Sequence, residues 1–194
     1  MGPCPSECLD LIINNNIQMV LGNHELYYLS GTDIDDEMSE MEIDHQNWSR
    51  KQITKEQREL LTKCELTIEK EINGKKILFE HFPLYTNSKK TYPFHDLSIV
   101  SDGRINKIME TLDYDFIFIG HEHKEFSVDN RLFDVGSSGC RKDNVTRYTI
   151  FDTDTFKVET KEIPFDREGF IKDITSVDYP CRKYLALNFF GVEI

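Results

Sequence analysis

No stretch of this sequence approaches the roughly 20 consecutive apolar residues that a membrane-crossing helix needs, so no membrane partner is expected. Its first residues lack the basic-then-apolar pattern of a secretory leader. The five cysteines, Cys4, Cys8, Cys64, Cys140 and Cys181, are odd in number and form no CxxC pair. Their scatter excludes a fully paired disulfide framework and points to a reduced, cytoplasmic protein. Positive charge is scarce as well, with 23 Lys and Arg against 35 Asp and Glu and a net charge of −12. So acidic a chain disfavours nucleic acid as the main partner. A small phosphorylated compound stays open, because metal ions can supply a positive field locally. The opening MGPCPS matches the bare N-myristoylation pattern through Gly2 and Ser6, but Pro3 directly after the glycine counts against it.

No repeat, low-complexity segment or Pro/Gly-rich linker divides the 194 residues. Length and an ordinary 39% hydrophobic content suit one domain with a real core. Pro5-Ser6-Glu7 starts a helix that the asparagines at 14–16 end, and IQMVL at 17–21 reads as a short buried strand. The acidic segment after it, which includes Asp33, Asp35 and Asp36, reads as helix or surface loop, with His45 and Trp48 as helix packing. Thr54 and Gln57 form a capping box for the next helix. Asn73-Gly74 is a type I′ turn between two alternating strands. Residues 102–112 read as a helix, FIFI at 116–119 as a buried strand, and Asp129-Asn130 as a turn between two more strands. A second hairpin turns at 152–155, and 164–194 is a helical tail.

Four of the six histidines share one setting: His24, His81, His121 and His123 each follow an apolar strand. Strand ends are where loops converge over a rigid scaffold. Neutral imidazole suits divalent transition metals, and Asn23 can add a carbonyl oxygen. In GHEH, residues 120–123, an extended backbone would project His121 and His123 to the same side. Gly120 would let the chain pass closely under a ligand.

GNHE at 22–25, HFP at 81–83 and GHEH at 120–123 resemble, in order, three motifs of the calcineurin-like metallophosphoesterases. The flanks are similar too: GPCPSECLDLI resembles the segment after the family's second motif in its bacterial small-phosphodiesterase and dinucleoside-polyphosphate hydrolase subgroup. VGSSGCRKDNVTRYTIFD resembles the loop and strand that follow GHxH. The resemblance implies an α/β fold, the four-layer α/β/β/α sandwich, for one domain over 1–194 with the 164–194 tail packed on it. It implies a dinuclear centre, manganese first with iron, zinc, nickel or magnesium as alternatives. Asn23, His81 and His121 would bind one ion and His123 the other. His24 would meet the phosphoryl or leaving oxygen as catalytic imidazole, with Glu25 orienting it. The implied reaction is hydrolysis of a phosphomonoester, a phosphodiester or a dinucleoside polyphosphate. Tyr85, Tyr92, Phe94 and His95 would stack on a nucleobase or cover the core, and Lys89 and Lys90 would meet a phosphate or solvent.

The family's first two motifs, DxH and GDxxD, have no counterpart in the sequence. The expectation is therefore an N-terminally truncated member lacking two strands, with an open sheet, one weakly held ion and impaired activity. The alternative reading is a non-catalytic remnant that binds one metal or a protein partner.

Overall fold

The computed structural model describes residues 2–32, 38–83, 109–110 and 112–194. The sequence expectations for Asp33, Asp35, Asp36, Tyr85, Lys89, Lys90, Tyr92, Phe94, His95 and most of the 102–112 helix lie outside the described residues.

Four helices come first: α1 (Pro5–Asn14), α2 (Asn23–Ser30), α3 (Glu40–Gln52) and α4 (Lys55–Leu61). Pro5 sits at the start of α1, where its missing N–H costs nothing. The capping box of α4 is present: Gln57 N–H donates to Thr54 Oγ1 at 3.1 Å, and Thr54 N–H to Gln57 Oε1 at 2.9 Å. Gln57 Nε2 also reaches Ser6 O at 3.0 Å and Asp10 Oδ1 at 2.7 Å, so the cap of one helix pins another. The acidic segment supplies α3, capped by Ser39 and Glu42. Leu9, Leu21, Leu26, Tyr28, Ile53 and Leu61 form the shared core of these helices.

Five strands, β1 (Thr67–Ile72), β2 (Lys75–Glu80), β3 (Phe116–Ile119), β4 (Glu125–Val128) and β5 (Leu132–Val135), form one sheet in the order β1-β2-β3-β5-β4. The Asn73-Gly74 turn, with φ of 51° and 73°, closes β1 onto β2, and Asp129-Asn130, with φ of 53° and 52°, closes β4 onto β5. The central pairings, β2 with β3 and β3 with β5, are parallel. One face stacks Phe79, Phe118 and Phe133 across three neighbouring strands at 5.3 and 5.4 Å. The second hairpin, β6 (Val145–Phe151) and β7 (Val158–Pro164), lays Phe151 and Phe156 against that face. On the other face Leu78, Ile117, Ile119 and Leu132 pack with Phe82 and Met109. The Arg131 guanidinium clamps the approach to β3 through the carbonyl oxygens of Met109, Leu112 and Tyr114.

The tail forms α5 (Arg167–Ser176) and α6 (Arg182–Phe190), whose core residues pack against Trp48 and Cys140. No described helix is long and apolar enough to cross a membrane. The five cysteines are free.

One expectation needs adjusting. The buried strand at 17–21 reduces to one isolated bridge, Val20 with Glu65, and Ile17 is 56% exposed. A strand paired at one residue cannot bury a run of side chains. The five strands pair in one continuous order among the described residues. Exposed apolar side chains include Leu11 and Ile17, Tyr148, Ile150 and Ile163 on the outer face of the second hairpin, and Tyr184 and Leu187 on α6.

Ile117 is fully buried in the central strand, whereas Ile163 is half exposed. Ile117→Ala is expected to cost about 2–5 kcal/mol, and Ile163→Ala less than about 1 kcal/mol, both read from urea denaturation midpoints. Equal losses would contradict the placement of the core.

Candidate metal centre

Because β2 and β3 run parallel, their C-terminal ends lie side by side, and each is followed by a histidine-bearing turn. His81 leaves β2, and the Gly120 N–H donates to its carbonyl oxygen at 3.1 Å, locking the two turns together. The third contributor is the first turn of α2, which begins at Asn23. His81 Nε2 lies 3.0 Å from Asn23 Oδ1 and 3.2 Å from His121 Nδ1. Carrying either one hydrogen or one lone pair, His81 Nε2 has only one full hydrogen bond to offer its two neighbours. Atoms that share an ion at about 2.0–2.2 Å stand roughly 3.0–3.5 Å apart. The donor set of two imidazole nitrogens and an amide oxygen therefore fits a divalent cation. Burial, and then the neighbouring histidines, lower the His81 pKa to about 4, and burial lowers that of His121. Both rings are neutral at pH 7, with lone pairs available to a metal.

The glycine this arrangement requires is Gly22. A Cβ there would stand 2.9 Å from Cγ and Cδ2 of His81, so only glycine lets the ring lie against the start of α2. At Gly120 an added Cβ would make ordinary contacts with the same ring. GHEH is not extended either. β3 stops at Ile119, and His121 and His123 take left-handed φ of 75° and 58°. Non-glycine residues occupy that region at a cost, and hold it where surrounding contacts over-determine the backbone. His121 thereby turns onto His81, with ring centroids 5.1 Å apart, while the His123 ring faces Phe189 at 6.4 Å. His123 makes no hydrogen bond within the trio.

Glu25 and His24 have partners that the motif does not foretell. Glu25 Oε2 accepts the Gly22 N–H at 2.9 Å and so caps α2. His24 Nδ1 lies 2.7 Å from Gln46 Nε2 on α3. Burial holds the His24 pKa well below its ordinary value. Among the described residues no group of three or more His, Cys, Asp or Glu side chains is placed to hold one ion. The trio qualifies only through its asparagine.

No family model matches the chain. It is 28% identical over 186 residues, covering 85% of its length and 72% of the other's, to an uncharacterized protein of Methanocaldococcus jannaschii. Its structure superposes on that of a metallophosphoesterase from Sphaerobacter thermophilus with a TM-score of 0.69 at 18% identity, over 98% of this chain and 84% of that one. The chain has a calcineurin-like metallophosphoesterase fold. A hypothetical protein from Pyrococcus horikoshii is similar at a TM-score of 0.71 and 14% identity, covering 97% of this chain and 79% of the other. Within this metallophosphoesterase fold, His81 and His121 follow the ends of two parallel strands, where α/β sheets place ligands, and the start of α2 brings Asn23 beside them.

One supporting carboxyl group escaped the sequence reading. Asp134, on β5 opposite Ile119, is 3% exposed and accepts the Gly136 N–H through Oδ1 at 2.8 Å. Its Oδ2 is buried without a hydrogen-bond partner among the described residues. Burial, reinforced by the charges of Glu122 and Glu125, raises its pKa from 3.8 to about 7. The unfolded chain thus ionises Asp134 first. The stability its neutral form contributes is complete below about pH 4 and is lost as pH rises to about 7. Asp134→Asn keeps an acceptor for Gly136 and removes that loss. It is expected to stabilise by roughly 2–4 kcal/mol at pH 8 and to be near neutral at pH 4. Urea melts at the two pH values check this, and an effect independent of pH would contradict it.

Proposed function

We propose that this chain is a metal-dependent phosphoesterase in which Asn23 Oδ1, His81 Nε2 and His121 Nδ1 hold one divalent ion. The observation that carries the reading is the convergence of those three lone-pair atoms at 3.0 and 3.2 Å. Manganese is the first choice, with iron, zinc, nickel or magnesium as alternatives, and the two imidazoles favour the transition ions over magnesium. A bound ion of this kind supplies Lewis acidity to a phosphoryl oxygen and lowers the pKa of a coordinated water. His24, neutral at pH 7, offers a hydrogen bond to a phosphoryl or leaving oxygen. Glu25 holds Gly22, and through it the position of Asn23. His123 is the residue available to a second ion in a dinuclear form of the site. The substrate class is a small phosphorylated compound: a phosphomonoester, a phosphodiester or a dinucleoside polyphosphate. The net charge of −12 weighs against a polymeric nucleic acid.

A second reading is favoured by one observation: the trio contains no carboxylate. A single ion held by neutral ligands is bound less tightly and leaves the reaction without a bridging group, which describes a metal- or partner-binding remnant with little turnover.

The deciding assay is hydrolysis of an aryl phosphodiester with and without added Mn²⁺. The enzyme reading predicts metal-dependent turnover that falls by about 100-fold or more in His81→Ala and in His121→Ala, with the melting temperature of the metal-free protein nearly unchanged. Turnover that is absent, or that survives both substitutions, would overturn it. Ion stoichiometry separates the forms, two for the dinuclear centre and one for the remnant.

A further inference from the structure

We propose that the cleft between α1 and the α5–α6 tail is a binding site for a small organic cation, an apolar body carrying one ammonium or guanidinium group. The cleft has a volume of about 450 Å³, within the range of about 300–1,000 Å³ in which proteins hold small molecules. None of Asn23, His81 and His121 lines it, so it is separate from the metal centre. It is the seam between two hydrophobic cores. Leu9 and Tyr28 belong to the core of the first four helices, and Phe170 and Phe190 to that of the tail. Ile12, Met19 and Phe165 add to the apolar wall. Gly2, also in the lining, donates its N–H to Tyr179 Oη at 3.2 Å and ties the segment before α1 to the tail.

The charges around the cleft decide what it takes. Glu25, Asp166 and Asp173 line it, and no Lys or Arg does. Glu25 accepts the Gly22 N–H and Asp166 the Gly169 N–H, each through one oxygen, which leaves a second oxygen for a ligand. None of the three carboxylates forms an ion pair among the described residues. Phe170 and Asp173 stand three apart on α5, so an aromatic ring and a carboxylate share one helix face. The negative field reaches inward as well. Burial, and then the charges of Glu7 and Asp173, raise the thiol of Cys4 above its ordinary value, and Cys4 lines the cleft. Such a wall repels an anion, and a neutral apolar molecule leaves its carboxylates unpaired. A cation on an apolar stem meets both needs, covering the apolar wall and giving the carboxylates a charged donor. The same charges turn away the phosphorylated compounds proposed for the metal centre, so the two sites take ligands of opposite sign.

The test uses the full chain labelled with ¹³C at its methionine methyl groups, because Met19 lines the cleft and Met109 lies in the sheet core. Met19 is assigned by loss of its signal in Met19→Leu. Three probes share one apolar body: phenylbutylamine, phenylbutanol and phenylbutyrate. At pH 7 the amine is expected to move the Met19 signal saturably, with a Kd below about 1 mM, and to leave Met109 in place. The alcohol should bind about 10-fold more weakly, and the carboxylate should not bind. Asp173→Asn, at an exposed position on α5, should weaken the amine about threefold and leave the alcohol unchanged. Ile12→Trp, which fills the cleft, should abolish the shift, with an unmoved Met109 signal as the check on the fold. No saturable shift at Met19, an amine no tighter than the alcohol, or an amine affinity unchanged in both variants would overturn the assignment. None of these readouts involves Mn²⁺ or turnover, so loss of the phosphoesterase reading would leave the cleft standing, and the reverse.

Discussion

The parallel pairing of β2 with β3 is the constraint on which the site depends. It brings two strand ends to the same level, and the bond from Gly120 N–H to the His81 carbonyl oxygen fixes the turns that follow them. From there His81 and His121 have no choice but to face each other. Asn23 can join them only because Gly22 lacks a side chain, for an alanine methyl would occupy the space of the His81 ring. The pairing itself is held by burial: Ile117 at the centre, the stack of Phe79, Phe118 and Phe133 on one face, and the Arg131 clamp on the chain entering β3.

The electrostatics of the site run against those of the chain. A protein of net charge −12 gathers at this point rings that burial keeps neutral. Two imidazoles and an amide oxygen with unsatisfied mutual contacts form a poor hydrogen-bond network and a good set of metal ligands. The buried carboxyl group of Asp134 accepts the Gly136 N–H and does not join the trio.

Much of this was legible in the residues. The Asn73-Gly74 and Asp129-Asn130 turns, the Thr54 cap and the FIFI strand are local patterns, and local chemistry was enough to place them. The convergence of His81 and His121 followed from strand ends and motif order. What failed to show were features set by tertiary contact. Nothing near Gln46 says that it reaches His24, since helix packing accounts equally well for a buried glutamine beside His45. The extended reading of GHEH missed the positive φ values because alternation alone cannot reveal a turn imposed by neighbouring strands. Ile17 looked like the start of a buried strand, but burial requires partners on both sides, and its segment has one bridge.

The central claim is that Asn23, His81 and His121 share an ion, and the most direct measurement is anomalous diffraction from crystals grown with saturating Mn²⁺. The account predicts a peak within about 2.0–2.3 Å of Asn23 Oδ1, His81 Nε2 and His121 Nδ1 together. No peak at that position, with the three atoms still in mutual contact, would contradict it.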